Sequence, residues 1–347
     1  MRHARTAAAL SALLLGLTGC ADSGDDNDAE GPAGAPSVSA SAPAPAPTEV
    51  AVRGGSHDPA DPTIALLAYL PASIAVVEGA TVTWTVAGPE PHSVTFFPAG
   101  QKPPTPDKAS EFFAPAPATK PYDGSTLANS GLGPQGPGGP LTFKLTFAKA
   151  GTFTYVCVIH PQMTGTVAVG ADAAAEPQAE IDARGKTEEG QWLAEGQAAK
   201  KKLLETGVQS APGSNGRTAW TVQMGATTPH TDVLAFAPAM VPMKAGDTVT
   251  FVNGSGAPHT ATFAGGTTVP PNPEDPKVLA PAPGGSPQTL KATGYYNTGW
   301  LPPDAPPGQG PPLPARSFTF QVPSAGSYNF ICALHVPSGM AGQLAVA

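Results

Sequence analysis

One internal repeat constrains this chain more than any other feature. Val77-Glu78-Gly79-Ala80-Thr81-Val82-Thr83-Trp84 is answered by Lys244-Ala245-Gly246-Asp247-Thr248-Val249-Thr250-Phe251. Later in each half, Gly151-Thr152-Phe153-Thr154-Tyr155-Val156-Cys157 is answered by Gly326-Ser327-Tyr328-Asn329-Phe330-Ile331-Cys332. A repeat of this length means two copies of one domain rather than a solenoid of short units. The 347 residues fit that count at roughly 100–200 residues per domain.

The repeated segments read as strands. Val82, Trp84 and Val86 share one parity, as in a half-buried strand, and Thr142 to Phe147 alternates likewise. Thr164 to Val169 closes the first copy. In the second, Val241 to Lys244, Thr248 to Asn253, Ser317 to Val322 and Gly342 to Val346 fall in the same order. The expected fold class is therefore all-β, with domains over 51–170 and 210–347. Each contains a long Pro/Gly-rich insertion before its Cys strand, at about 97–140 and 264–314. Phe112, Phe113, Tyr122, Tyr295, Tyr296 and Trp300 would pack those insertions in part against the domains. Residues 171–209 join the two halves and differ in kind: Ala, Glu, Lys and Gln dominate, predicting a charged helix near Thr187–Glu205 with a sparse face of Ile181, Trp192, Leu193, Leu203 and Leu204.

The N-terminus reads as an export signal over 1–20. Arg2 and Arg5 precede an apolar run, Ala7 to Leu17, that is too short to span a bilayer. It ends in Leu17-Thr18-Gly19-Cys20, which resembles a bacterial lipobox whose Cys becomes the lipidated first residue. An ordinary cleaved signal is the alternative. Residues 21–50 are Ala, Pro, Ser, Gly and Asp, and lack the bulk to offset their ordering entropy, so a disordered, fairly extended tether is expected. The net charge of −8, with no basic cluster beyond Lys200–Lys202, argues against a nucleic-acid partner.

With Cys20 assigned to the anchor, two thiols remain, too few for a disulfide scaffold. A single Cys157–Cys332 bridge is the plain alternative. The contexts point elsewhere. Cys157 is followed by His160 and Met163, with His92 upstream. Cys332 is followed by His335 and Met340, with His259 upstream. Two imidazoles, a thiolate and a weak axial thioether are a blue-copper ligand set, soft enough for Cu(I) and acceptable to Cu(II). Zinc would favour further Cys or a carboxylate, and Met is a poor zinc ligand. Phe153, Tyr155 and Cys157 share a strand face, as do Tyr328, Phe330 and Cys332. His92 has the parity of Val94 and Phe96, and His259 that of Ala261 and Phe263. A lone Cys-x-x-His says little, but the same four residue types twice, in one order and strand context, say much.

At these residues the chain resembles the cupredoxins. Cys157, His160, Pro161 and Met163 are similar to the ligand loop of amicyanin. Cys332, His335 and Met340 are similar to that of plastocyanin and pseudoazurin. The resemblance implies two tandem Greek-key β-sandwiches, each with one type 1 copper at one end, two in total. It also implies that His160 and His335 lie nearest the surface and serve as electron exits. Ser93 and Thr260 stand where plastocyanin-like proteins often have an Asn bonded across to the Cys loop. Redox partner proteins of the cytochrome or copper-oxidoreductase type are expected, on the extracytoplasmic side of a membrane, with the lipid as sole membrane attachment. Tandem cupredoxin domains also occur in multicopper oxidases and nitrite reductases. Here seven His leave only His57 and His230 after the signal and two blue sites are served, and no His flanks either Cys, so no enzyme is expected. Copper storage or delivery, or a structural copper, are the alternative readings.

Overall fold

The structure is a computed structural model that describes residues 48–347 except 89, 105, 134–138, 171–174, 207–208, 272–274, 282–284 and 303–315. The signal, Cys20 and nearly all of the tether lie outside the described residues.

The first domain contains β1 (Glu49–Asp58), β2 (Asp61–Leu70), β3 (Ser73–Val77), β4 (Thr81–Val86), β5 (Thr95–Phe96), β6 (Ala128–Asn129), β7 (Leu141–Thr146), β8 (Gly151–Val156) and β9 (Thr164–Gly170). One sheet runs β2-β1-β4-β7 and the facing one β3-β9-β8-β5-β6. β1 pairs antiparallel with β2 but parallel with β4, so the chain crosses between sheets. The alternation read in the sequence is realised: β4 buries Val82, Trp84 and Val86 and half-exposes the threonines between them. Trp84 packs edge-on against Phe96, Phe147 and Tyr155 between the sheets.

After helix α1 (Gln178–Thr206), the second domain repeats the plan: β10 (Gln209–Pro212), β11 (Thr218–Thr227), β12 (Thr231–Ala237), β13 (Met240–Met243), β14 (Thr248–Asn253), β15 (Thr262–Phe263), β16 (Gln288–Thr289), β17 (Tyr296–Asn297), β18 (Ser317–Gln321), β19 (Gly326–Ile331) and β20 (Ala341–Val346). Its sheets run β16-β18-β14-β11-β12 and β13-β20-β19-β15-β17. Phe251 takes the place of Trp84, in edge contact with Phe236, Phe263 and Phe330.

The two sandwiches are joined through their backbones. β2 pairs antiparallel with β12, Leu66 opposite Thr231, Ala65 opposite Asp232 and Ile64 opposite Val233. One sheet of ten strands therefore runs through both domains. The strands at this junction do not alternate. β2 is buried on both faces from Ile64 to Leu70, because the first core covers Tyr69 while α1 covers Leu66, Ala68 and Leu70. A strand buried on both faces reads as a continuous apolar run rather than an alternating one.

Helix α1 is longer than the sequence pattern predicts, starting at Gln178 just after Pro177, where a proline-set φ suits a helix start. It lies on the junction rather than spacing the domains apart. Its buried residues are Ile181, Gly185, Trp192, Gly196 and Leu203, at heptad-like intervals that form one stripe. Two are glycines because the sheet comes close. A Cβ on Gly196 would lie 2.6 Å from Ile64 Cγ2 and 3.0 Å from Thr231 Oγ1, one residue from each domain. Trp192 stacks on His230 at 4.1 Å. Arg53–Glu189, Arg184–Glu176 and Lys200–Asp61 ion pairs flank the stripe, each worth at most about 1 kcal/mol at such exposure. Among the described residues, no helix is long and apolar enough to cross a membrane.

Candidate metal centres

Each Cys stands just past the end of its strand, with its side chain in the core. Cys157 and Cys332 are both buried and both free, which sets aside the Cys157–Cys332 disulfide. The following loop turns back at once: the Cys157 N–H donates to Met163 O and that of Met163 to His160 O. In the second domain the Cys332 N–H donates to Met340 O, and those of His335 and Ser338 donate to Cys332 O and His335 O. The two extra residues of that loop form an added turn, and both loops return their Met, fully buried, to the end of the Cys strand.

The upstream His closes the triangle. His92 Nδ1 lies 3.0 Å from His160 Nδ1 and 4.0 Å from Cys157 Sγ, and His160 Nδ1 lies 3.6 Å from that sulfur. In the second domain the three separations are 3.1, 3.8 and 3.3 Å. Metal bonds of about 2.0–2.3 Å in a trigonal plane put ligand atoms about 3.5 Å apart. Both triangles are close to that size, with sulfur and Nδ1 atoms turned toward one common point.

The electrostatics suit a cation. Burial, with the neighbouring His160 adding to it, holds His92 well below the usual imidazole range, and His259 is held low by burial and His335. Burial lowers His160 to about 4; burial and His160 lower His335 to about 3. All four are neutral near pH 7, as ligation requires. Burial raises the Cys157 thiol and raises that of Cys332 to about 11, although the N–H groups of Ser93 and Thr260 each point at the sulfur from 3.4 Å. Hydrogen bonds made ready for a thiolate in a dry pocket that disfavours one fit a bound cation, which would supply the missing charge.

No family model matches the chain. A plastocyanin of Scenedesmus fuscus is 29% identical over 126 residues, covering 36% of this chain and 97% of that protein. A chloroplastic plastocyanin of Tetradesmus obliquus is 31% identical over 125 residues, covering 36% of this chain and 65% of that one. This chain is cupredoxin-like. Among solved structures, an oxidised amicyanin mutant is 22% identical with a TM-score of 0.24, covering 36% of this chain and 85% of its own. A Cu(I) form of another amicyanin mutant gives 22% and 0.23.

In this cupredoxin-like frame the residue after the upstream His is a clamp. Ser93 Oγ accepts the Val158 N–H at 3.0 Å, and Thr260 Oγ1 accepts that of Ala333 at 2.8 Å. The hydroxyls expected to replace an Asn thus do tie the two ligand segments together. They also explain why parity fails here: Ser93 and Thr95 are as buried as His92 and Val94, their hydroxyls bonded to each other and, through Thr95, to Asn129.

Two further devices escape a reading of ligands alone. The first pair is Gly55 and Gly225, both in the left-handed region at φ +67 and +74. A Cβ there would lie 2.6 Å from His92 Nε2 and 2.7 Å from His259 Nε2. The second is a motif inside the insertions, Asn129-Ser130-Gly131 and Asn297-Thr298-Gly299. Asn129 Nδ2 donates to Phe112 O and Ala114 O, and Asn297 Nδ2 to Lys277 O and Val278 O. Ser130 and Thr298 hydroxyls accept the N–H groups of Val94 and Ala261. His92 and His259 exchange backbone bonds with Gly133 and Leu301. The insertions are thus pinned beside the upstream His. Tyr122 enters the core, whereas Trp300 stays exposed.

Of the four candidate ligands in each domain, His160 and His335 lie nearest the surface, at 5% and 7% exposed against 0–2% for the others, yet both are buried. Their outer edges face the same carboxylate. Glu90 Oε2 is 3.9 Å from His160 Nε2 and Glu90 Oε1 is 3.6 Å from His335 Nε2. Burial, with Asp232 adding to it, pushes Glu90 up to about 8. Near pH 7 the contact therefore joins neutral groups rather than an ion pair. The remaining histidines stand apart from the triangles: His57 on β1, and His230 in the β11–β12 turn under Trp192.

Proposed function

We propose that the chain is a copper electron carrier with two type 1 centres. His92, Cys157 and His160 would form the trigonal ligands of the first, with Met163 axial; His259, Cys332, His335 and Met340 would do so in the second. The observation that carries this reading is the pair of buried His–Cys–His triangles of nearly equal dimensions. Bound copper would supply a one-electron couple. The protein's part is to hold two neutral imidazoles and a thiolate in a dry pocket whose clamps resist rearrangement between oxidation states. The carrier role is supported by the plastocyanin relatives and by the His count, which leaves only His57 and His230, both apart from the triangles, for any further copper. The lipobox-like Leu17-Thr18-Gly19-Cys20 places it, on this reading, at the outer face of a bacterial membrane, held by lipid on Cys20 and exchanging electrons with protein partners.

Copper content and the visible spectrum of residues 21–347 test the proposal. Two coppers per chain and an intense visible band, bleached reversibly by a mild reductant, are expected. Cys157→Ser and Cys332→Ser should each remove one copper and about half the band. Tight Cu(I) binding with no such band would favour storage or delivery instead. Loss of both coppers from either single change would mean one site per chain.

A further inference from the structure

The ligand loops of the two domains meet at one residue. His160 and His335 use Nδ1 toward their own triangles, which leaves Nε2 of each free to point away. Both Nε2 atoms point at Glu90, one at each carboxyl oxygen. Glu90 is 5% exposed, and among the described residues no hydrogen bond reaches either oxygen. A buried polar group is expected to be partnered; this carboxyl faces the two imidazole edges, with the buried Asp232 carboxyl also acting on it. Geometry enforces the meeting: β2–β12 pairing fixes the domains edge to edge, and α1 spans that seam.

We propose that His160, Glu90 and His335 form an internal conduit that carries an electron between the two centres of one chain. The proposal rests on the two-centre reading above. In the exchange, Cu(I) of one domain is oxidised to Cu(II) as Cu(II) of the other is reduced to Cu(I), and no proton or further reagent is needed. Glu90 is a positioning residue: it replaces a gap between two ring edges with a polar bridge and excludes water from it. Because both histidine edges are covered, they serve exchange within the chain rather than with a docked partner.

The test uses the copper-loaded chain with Glu90→Gln and Glu90→Leu beside wild type. Copper content and visible spectrum come first: if wild type lacks two blue centres, the two-centre reading fails, and the conduit with it. If both are present, EPR of the oxidised protein should show dipolar broadening that vanishes in Cys157→Ser and in Cys332→Ser. Its absence from wild type overturns the proposal, since the centres would then be too far apart. Exchange itself is read in a Met340→Gln background, which separates the two bands. After a reducing pulse, a first-order phase independent of protein concentration is expected. It should be lost from the fast window in Glu90→Leu and largely kept in Glu90→Gln, with dipolar broadening retained in both. A phase proportional to protein concentration, or one unchanged by Glu90→Leu, overturns the conduit while leaving the two centres standing.

Discussion

Replacing Gly55 by Ala puts a methyl group against a ligand ring, and the structure separates the two costs. The first is backbone: φ is +67, where an L-residue pays about 1–2 kcal/mol. The second is contact, because the Cβ would lie 2.5 Å from His92 Cδ2 and 2.6 Å from its Nε2. His92 is 2% exposed and its main chain is fastened to Gly133, so the ring yields only by leaving the triangle. Overpacking of this kind costs about 1–3 kcal/mol. If His92 withdraws to relieve about 2 kcal/mol of it, copper affinity in the first domain falls about 30-fold. Gly79→Ala is the control, with φ +83 and nothing within 4 Å of the added carbon. It should lose only the backbone term and bind copper normally. Copper titration followed by visible absorbance, with denaturation midpoints of the apoprotein, reads both effects. Gly225→Ala should reproduce the loss in the second domain, where His259 Nε2 is 2.7 Å from the new carbon. Wild-type affinity in Gly55→Ala would refute the reasoning that these glycines make room for the upstream His.

Other substitutions probe the clamp, the seam and a buried acid. Ser93→Ala and Thr260→Val leave the N–H of Val158 or Ala333 without its hydroxyl acceptor; each should lower stability by about 1–3 kcal/mol in urea unfolding and shift the visible band of its own domain only. On α1, Gly190 faces open space while Gly196 meets Ile64 and Thr231, so the same change should have opposite signs: Gly190→Ala gains about 0.8–1.0 kcal/mol of helix propensity, whereas Gly196→Ala loses stability, and equal effects would remove α1 from the seam. Burial raises Asp232 from 3.8 to about 7. The folded chain therefore keeps a proton that the unfolded chain releases above pH 3.8, and unfolding free energy from this group falls as pH rises from about 4 to 7, by up to about 4 kcal/mol. Asp232→Asn should flatten that part of an apoprotein stability curve, and an unchanged slope would show that Asp232 is charged in the fold.

The two His–Cys–His groups were legible because their residues obey local rules that repeat. Cys157 and Cys332 end strands whose periods mark them as inward, and the short Cys-to-Met spacing leaves room for nothing but a tight loop. The hydroxyls of Ser93 and Thr260 were legible by position after the upstream His. The strands at the seam were not, since Ile64 to Leu70 carries no alternation once α1 covers its second face. The inner stripe of α1 was only half visible, because Gly185 and Gly196 do its closest packing and glycine has no apolar signature. Glu90 sits two residues before His92 and looks like an exposed loop carboxylate; only the pairing of β2 with β12 brings it under His335 of the other domain. The Asn-Ser/Thr-Gly motif was present to be read twice, but the Pro/Gly-rich surroundings hide it among turn residues.

The strand pair at the seam also limits how this molecule can be divided. β2 and β12 are each the outer strand of their own sandwich, and each hides its unpaired backbone against the other. A fragment ending before α1 would present Ile64 to Leu67 as an open, apolar edge, the kind that recruits another strand. Such a half would pair with a second half or aggregate rather than persist as a monomer. Joining the halves in one chain through α1 turns that encounter into an intramolecular event, at the raised effective concentration a tether gives. The unit that behaves independently is thus the pair and not the repeat.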